Sequence, residues 1–433
     1  MEKIIKIAKF PPREQWSVLM SRDRGDTQAV QNAVTDILAA VKHNGDNALI
    51  SFAKIYDGVK IDSLRVSPQE IEEAEKSVSD ELKDAIGIAA KNIHNFHLAQ
   101  RMQDVSVDIL PGINCQQKAV PIGKIGLYIP GGNSPLFSTV LMLAIPAHIA
   151  GCKQVVLCTP PNKQGKIHPA ILYAASVAGV TEIYKSGGAQ AIAGMAYGTE
   201  TIPQVYKIFG PGNRFVMEAK QQVSLHGVAI DMPAGPSEVM VIADGAANRE
   251  FVASDFLSQA EHGPDSQSIL LTTDESLANE MPEELNRLLA TLPRREMMLK
   301  SLSHSSIILL KSDAEIFEFA NEYAPEHLII NCRNARDMAN RVENAGSVFI
   351  GAYSPESAGD YASGTNHTLP TSGYAKAYSG VNLDSFIKKI TFQELTKEGL
   401  RSIGNAVEIL AENEDLLAHR LAVTVRLNEL KKI

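Results

Sequence analysis

Between residues 119 and 244 the chain switches repeatedly between short β-branched runs and helical stretches, with glycine turns at the joins. Strands are expected at 124–129, 154–158, 182–185 and 205–209, and helices at 135–150, 168–178 and 214–223. A strand, a helix and a parallel strand close as a right-handed crossover, so this alternation calls for a parallel, doubly wound sheet. A second series runs through 238–243, 268–272, 306–310, 327–331 and 347–350, again with helices between, and calls for a second such sheet. With 433 residues and 45% hydrophobic content the chain can bury a core for each.

The flanking segments read differently. Residues 1–25 carry prolines and the single tryptophan, Trp16, as an extended arm would. From Asp26, an N-cap residue type, Val30, Val34, Ile37, Leu38 and Val41 have amphipathic helical spacing, and Asn44-Gly45 is a stop signal. A second, long helix is expected after Ser67-Pro68, carrying Ile71, Leu82, Ile86, Ile93 and Phe96. After Gly380 the pattern turns mostly helical, with Leu395, Leu400, Leu410, Leu417, Leu421 and Val425 between charges, which suits a packing or dimerisation arm. A net charge of -9 argues against nucleic acid as a partner. Cys115, Cys152, Cys158 and Cys332 form no C-x-x-C pair and suit reduced thiols. The start of the chain lacks a signal-peptide pattern, and no apolar run reaches membrane-spanning length, so the expected location is the cytoplasm.

Three glycine turns, Tyr128-Ile-Pro-Gly-Gly-Asn, Ser186-Gly-Gly-Ala-Gln and Phe209-Gly-Pro-Gly-Asn, each sit between a strand and a helix, where backbone N–H groups favour an anion such as a pyrophosphate. None is the G-x-G-x-x-G fingerprint, and one alone would be an ordinary tight turn. Three in one small domain point to a shared ligand crevice lined by Tyr128, Gln190 and Asn213.

Polar clusters supply candidate chemistry. Gln259 and His262 share a face at the end of a helix stopped by Gly263-Pro264; the bland reading is that both simply finish that helix. Glu326-His327 open an apolar strand, where a solvated acid and a satisfied imidazole are the ordinary outcome. The loop from Ser354 to His367 presents Asp360 and His367, and an irregular loop of that length usually binds something. Glu414 and His419 lie five apart on a helix and both serve one site only at a helix end or an interface. Nothing in the sequence alone gathers Gln259, His262, Asp360 and His419; brought together they would supply an oxygen-rich, thiolate-free set suited to zinc with open positions, or to manganese or cobalt.

The chain resembles the histidinol dehydrogenases of histidine biosynthesis. The likeness runs from Leu127-Tyr-Ile-Pro-Gly-Gly through Ile208-Phe-Gly-Pro-Gly-Asn, Asp231-Met-Pro-Ala-Gly-Pro-Ser-Glu, Ser258-Gln-Ala-Glu-His-Gly-Pro-Asp-Ser and Pro325-Glu-His to the 354–367 loop. It implies oxidation of L-histidinol to L-histidine through the aldehyde, with reduction of NAD twice. It also implies a zinc ion per subunit on Gln259, His262 and Asp360, completed by His419 of the partner subunit. Glu326 and His327 would be the catalytic bases. Ser237, His367 and Glu414 would lie near the substrate, together with the metal ligands and His327, and Tyr128, Gln190 and Asn213 would contact NAD. The implied fold has two incomplete Rossmann-like domains, one inserted in the other, with arms that intertwine in a homodimer sharing its active sites. On that basis residues 1–25 form an arm, 26–129 with 238–381 the catalytic domain, 130–237 the NAD domain and 382–433 a dimerisation arm. A metal-dependent hydrolase could use the same ligands but has no need of the glycine turns, and a non-catalytic nucleotide- or metal-binding protein needs neither Glu326 nor His327.

Overall fold

The computed structural model describes residues 4–22, 27–131 and 134–432. The expected cap Asp26 and the last two residues of the first glycine turn lie outside them.

One sheet has six strands, all parallel, in the order Lys6–Lys9, Ser306–Leu309, Gln267–Thr272, Glu238–Ala243, His327–Asn331, Ser347–Ile350. Its central strands are buried along their whole length because helices cover both faces, the usual condition of parallel sheets. Val239, Val241, Phe256, Leu270 and Met281 pack one face, and Met240, Ile242, Phe319, Leu328 and Trp16 the other. Within the expected arm, residues 4–22 join this domain: Lys6–Lys9 adds an edge strand beside Ser306–Leu309, and Trp16 is buried against Phe319 at 5.1 Å between ring centres. A short segment beside an open edge gains a ladder of hydrogen bonds that solvent cannot match in order.

The second sheet runs Glu182–Lys185, Gln154–Thr159, Lys124–Tyr128, Lys207–Phe209, Ala229–Ile230, also all parallel. Residues 27–100, expected with 238–381, pack here instead. Val34, Leu38 and Val41 lie against Ile192 and Val156 on one face, while Ile86 and Ile93 join Leu127 and Leu143 on the other. An apolar stripe states that a helix is covered but not by which sheet. The helix Thr27–Phe52 breaks at Gly45, at φ 50°, close to the expected stop. The single long helix expected after Ser67 is two, Pro68–Ser77 and Asp80–Leu98, because Ser79 supplies a second N-cap by accepting from Leu82 N–H. At the first, Ser67 and Glu70 form a reciprocal capping box, a device that contributes about 1 kcal/mol.

Residues 101–121 and 387–433 form a separate compact unit. Here Ile387–Leu395 is a strand, not the start of the helical tail, and pairs antiparallel with Ile113–Pro121, which pairs in turn with Val105–Leu110. The helices Lys397–Asn413 and Leu417–Leu430 follow. Much of this unit's apolar side-chain surface is exposed, including Val107, Ile109, Phe392, Leu410, Leu417 and Leu421.

Candidate active site

The helix Arg249–Ala260 ends as its sequence predicts, with the N–H groups of Glu261 and His262 turning back to the Gln259 carbonyl. The Gln259 side chain plays no part in that cap. It is 0% exposed, and neither its amide oxygen nor its nitrogen has a partner. Burying an unpaired amide costs about 1–3 kcal/mol, so this side chain is placed for something other than its own helix.

Opposite, Glu326 and His327 enter at the amino end of the strand His327–Asn331, both almost fully buried. Glu326 Oε2 accepts from Glu238 N–H at 2.8 Å, and His327 Nδ1 faces the Glu238 carbonyl at 3.3 Å. Ser237 directly precedes Glu238 at the same edge, half-buried. Carboxylates converge on the imidazole: Glu326 at 3.6 Å and Glu356 at 3.5 Å from Nδ1, and Asp360 at 3.5 Å from Nε2. Asp360 and Glu356 come from the short helix Glu356–Tyr361 inside the 354–367 loop. Ligand atoms of His262, Glu356 and Asp360 lie within 4.8 Å of one another.

The electrostatics of this cluster follow from crowding. Burial pushes Glu326 up to about 8 and raises Glu356 as well. Burial works against a charged His327, yet the carboxylates of Glu356, Glu326 and Asp360 outweigh it and hold the ring up at about 10. Burial also opposes ionisation of Asp360, but the neighbouring imidazoles keep it below its usual value. His262 and His367 are both lowered, first by burial. Acids that retain protons in this way mark a place where carboxyl groups outnumber cations, and a divalent ion would neutralise them equally well. With the unpaired Gln259 amide one turn from His262, the donor set of amide oxygen, imidazole and carboxylates fits a zinc-like ion with open positions.

His367 joins this loop to the second sheet. Its Nδ1 faces the Asp360 carbonyl at 2.9 Å and its Nε2 the Thr139 hydroxyl at 3.1 Å, on the helix that follows the first glycine turn.

The three glycine turns converge. A side chain at Gly210 would collide with the Tyr128 carbonyl, and side chains at Gly131 or Gly187 would collide with Pro160, so close backbone approach explains these glycines. The Gly188 N–H donates to the Tyr128 hydroxyl at 3.1 Å, and Asn213 caps the helix Arg214–Ser224. Tyr128, Gln190 and Asn213 all line one cavity of about 690 Å³, together with Asp57, Lys163 and His168. That volume suits a dinucleotide moiety. Asp57 Oδ2 is buried without a partner, and burial raises its carboxyl to about 6; an acceptor left open in this way matches a ribose hydroxyl.

Glu414 and His419 belong to the separate unit, both exposed, where the helix Lys397–Asn413 gives way to Leu417–Leu430. Two residues escaped the sequence reading. Glu356 lies in the 354–367 loop with Asp360 and His367, with no motif of its own to mark it. Asp57 sits in an irregular turn, Ala53–Asp57, which carries no motif.

A family model described as histidinol dehydrogenase matches residues 20–427. A histidinol dehydrogenase of Bacteroides thetaiotaomicron is 59% identical over 428 residues, covering 99% of this chain and 100% of that protein. The Escherichia coli K12 protein of that name is 53% identical over 421 residues, covering 97% of this chain and 96% of its own. The crystal structure of histidinol dehydrogenase from Elizabethkingia anophelis superposes with a TM-score of 0.96 at 52% identity, with both chains fully covered. With two parallel-sheet domains and this cluster of acids and imidazoles, the chain belongs to the histidinol dehydrogenase family.

Proposed function

We propose that the chain oxidises L-histidinol to L-histidine through the aldehyde, reducing NAD twice, in the cytoplasm. The observation that carries this reading is the convergence of Glu326, His327, Glu356 and Asp360 with His262 on one cluster. Gln259, His262 and Asp360 would hold a zinc ion, with His419 of the partner subunit completing the set in a homodimer. When bound, such an ion supplies an anchor for the amine and imidazole of the substrate and neutralises the surrounding carboxylates. NAD, held between Tyr128, Gln190 and Asn213, supplies the hydride acceptor.

The rest is the work of side chains. His327 Nδ1 faces a carbonyl, which only accepts, so Nδ1 carries the hydrogen; with the carboxylates that otherwise hold the ring protonated neutralised by a bound divalent ion, Nε2 is the basic atom. Nε2 takes the alcohol proton as hydride leaves the same carbon, giving the aldehyde. Glu326 then takes a proton from water as its oxygen adds to the aldehyde carbon, while His327 returns its proton to the former carbonyl oxygen; the hydrate so formed gives a hydride to the second NAD and a proton to His327. Two adjacent bases divide the two stages between them. Ser237, His367 and Glu414 would contact the substrate at its edges.

Incubation with L-histidinol and NAD tests the reading: two NADH per histidinol are expected, and no NADH with or without added zinc overturns it. Failure of Glu326→Gln and His327→Asn chains to restore histidine-free growth is expected; full restoration would favour a non-catalytic role.

A further inference from the structure

We propose that Arg22 is a positioning residue that aligns Glu326 and His327, acting through Glu238. The inference rests on the reading above that those two residues carry the reaction.

Glu238 opens its strand and touches both catalytic groups with its main chain, through the N–H to Glu326 and the carbonyl facing His327 Nδ1. Its own carboxylate is 2% exposed and points the other way. There Oε1 accepts from Arg22 Nε at 2.5 Å and from Ser372 N–H at 2.9 Å, and Oε2 accepts from Arg22 Nη2 at 3.0 Å. A second bond from the same Nη2 reaches the Tyr323 carbonyl at 2.9 Å, and the guanidinium lies 3.8 Å over the Tyr323 ring. Tyr323 ends the helix Asp313–Tyr323, and the next residue, Ala324, turns the chain at φ 54° into Pro325 and Glu326. The Tyr323 hydroxyl in turn donates to Gln267 Oε1 at 2.6 Å.

One guanidinium thus grips both the strand end that orients the two bases and the helix end that delivers them. A planar fork with fixed donors suits this task in a way a lysine does not. Removing it frees the Glu238 carboxylate and the 324–326 turn together, and a displacement of about 1 Å at a reacting pair costs roughly 100-fold in rate.

The test compares Arg22→Met with Leu19→Ala. Leu19 packs the same N-terminal segment onto the sheet without any polar tie to the site. Arg22→Met is expected to lose roughly 100-fold in kcat, with the KM values for histidinol and NAD within about twofold. Leu19→Ala, matched for loss of Tm, is expected to keep its kcat. In ¹⁵N-histidine spectra of the metal-free protein, the His327 signal, assigned by its loss in His327→Asn, should move in Arg22→Met and stay in Leu19→Ala. Wild-type kcat in folded Arg22→Met overturns the proposal, as does an equal kcat loss in Leu19→Ala. If Arg22→Met does not fold, Arg22→Lys decides: a drop of roughly tenfold in kcat supports the proposal and an unchanged kcat overturns it. A wild-type protein that makes no NADH from histidinol would instead refute the underlying function, and the His327 signal would still report whether Arg22 aligns the ring.

Discussion

The two parallel sheets use opposite edges. The sheet containing Lys124–Tyr128 and Lys207–Phe209 offers its carboxyl ends, where the glycine turns converge around the cavity with Tyr128, Gln190 and Asn213. The sheet containing Glu238–Ala243 and His327–Asn331 offers its amino ends, where Ser237, Glu326 and His327 sit. Open α/β sheets ordinarily bind ligands at carboxyl ends, because loops and helix N-termini there supply unsatisfied N–H groups that suit phosphates. A proton-transfer site has different needs. It wants buried acids and an imidazole with fixed neighbours, and the start of a fully covered strand provides them. The contrast predicts that damage to the amino edge appears in kcat and damage to the carboxyl edge in the KM for NAD.

His327→Asn should give the largest effect, a fall in kcat of about 10³-fold with little change in NAD affinity, checked by steady-state kinetics. A large rise in the KM for NAD would break the division between edges. Mixing Gln259→Ala and His419→Ala chains should return activity to about half the sites of each heterodimer, measured after proven subunit exchange. Inactive heterodimers would place the full ligand set within one chain. Asp57→Asn should raise the KM for NAD about tenfold at unchanged kcat, the scale of one hydrogen bond to a charged acceptor.

The same substitution sharpens the comparison through stability. The folded carboxyl of Asp57 titrates at about 6, above its ordinary 3.8, so the folded state binds the proton more tightly than the unfolded chain does. That raised value penalises folding increasingly as pH climbs from about 4 to 6 and constantly above. Asp57→Asn should therefore raise Tm at pH 8 by a few degrees and leave it unchanged near pH 3, read by thermal melts. An equal shift at both pH values would mean that the gain has another source.

Much of this was legible along the chain. Both strand series appear where alternation and glycine turns placed them, because fully covered strands are marked by runs of Val, Ile and Leu. His262 and Asp360 do lie close, the Gln259 amide is buried without a partner, and the three turns do share a cavity. What was hidden is long-range. The helices within residues 27–98 carry good amphipathic stripes that do not name their sheet, and Ile387–Leu395 finds its partner strand more than 260 positions earlier. Glu356 shows its role only once His327 approaches it from another strand. Arg22 lies in a stretch without periodicity, so nothing in the sequence marks its grip on Glu238.

The bridging ring of His367 has one further consequence. Its two nitrogens face the Asp360 carbonyl on one side and the Thr139 hydroxyl on the other. Thr139 also lies on the helix that starts just beyond the first glycine turn. Any ångström-scale slide between the half that carries the glycine turns and the half that carries the acids must stretch one of these two short links, so a five-membered ring acts as the gauge that fixes their spacing.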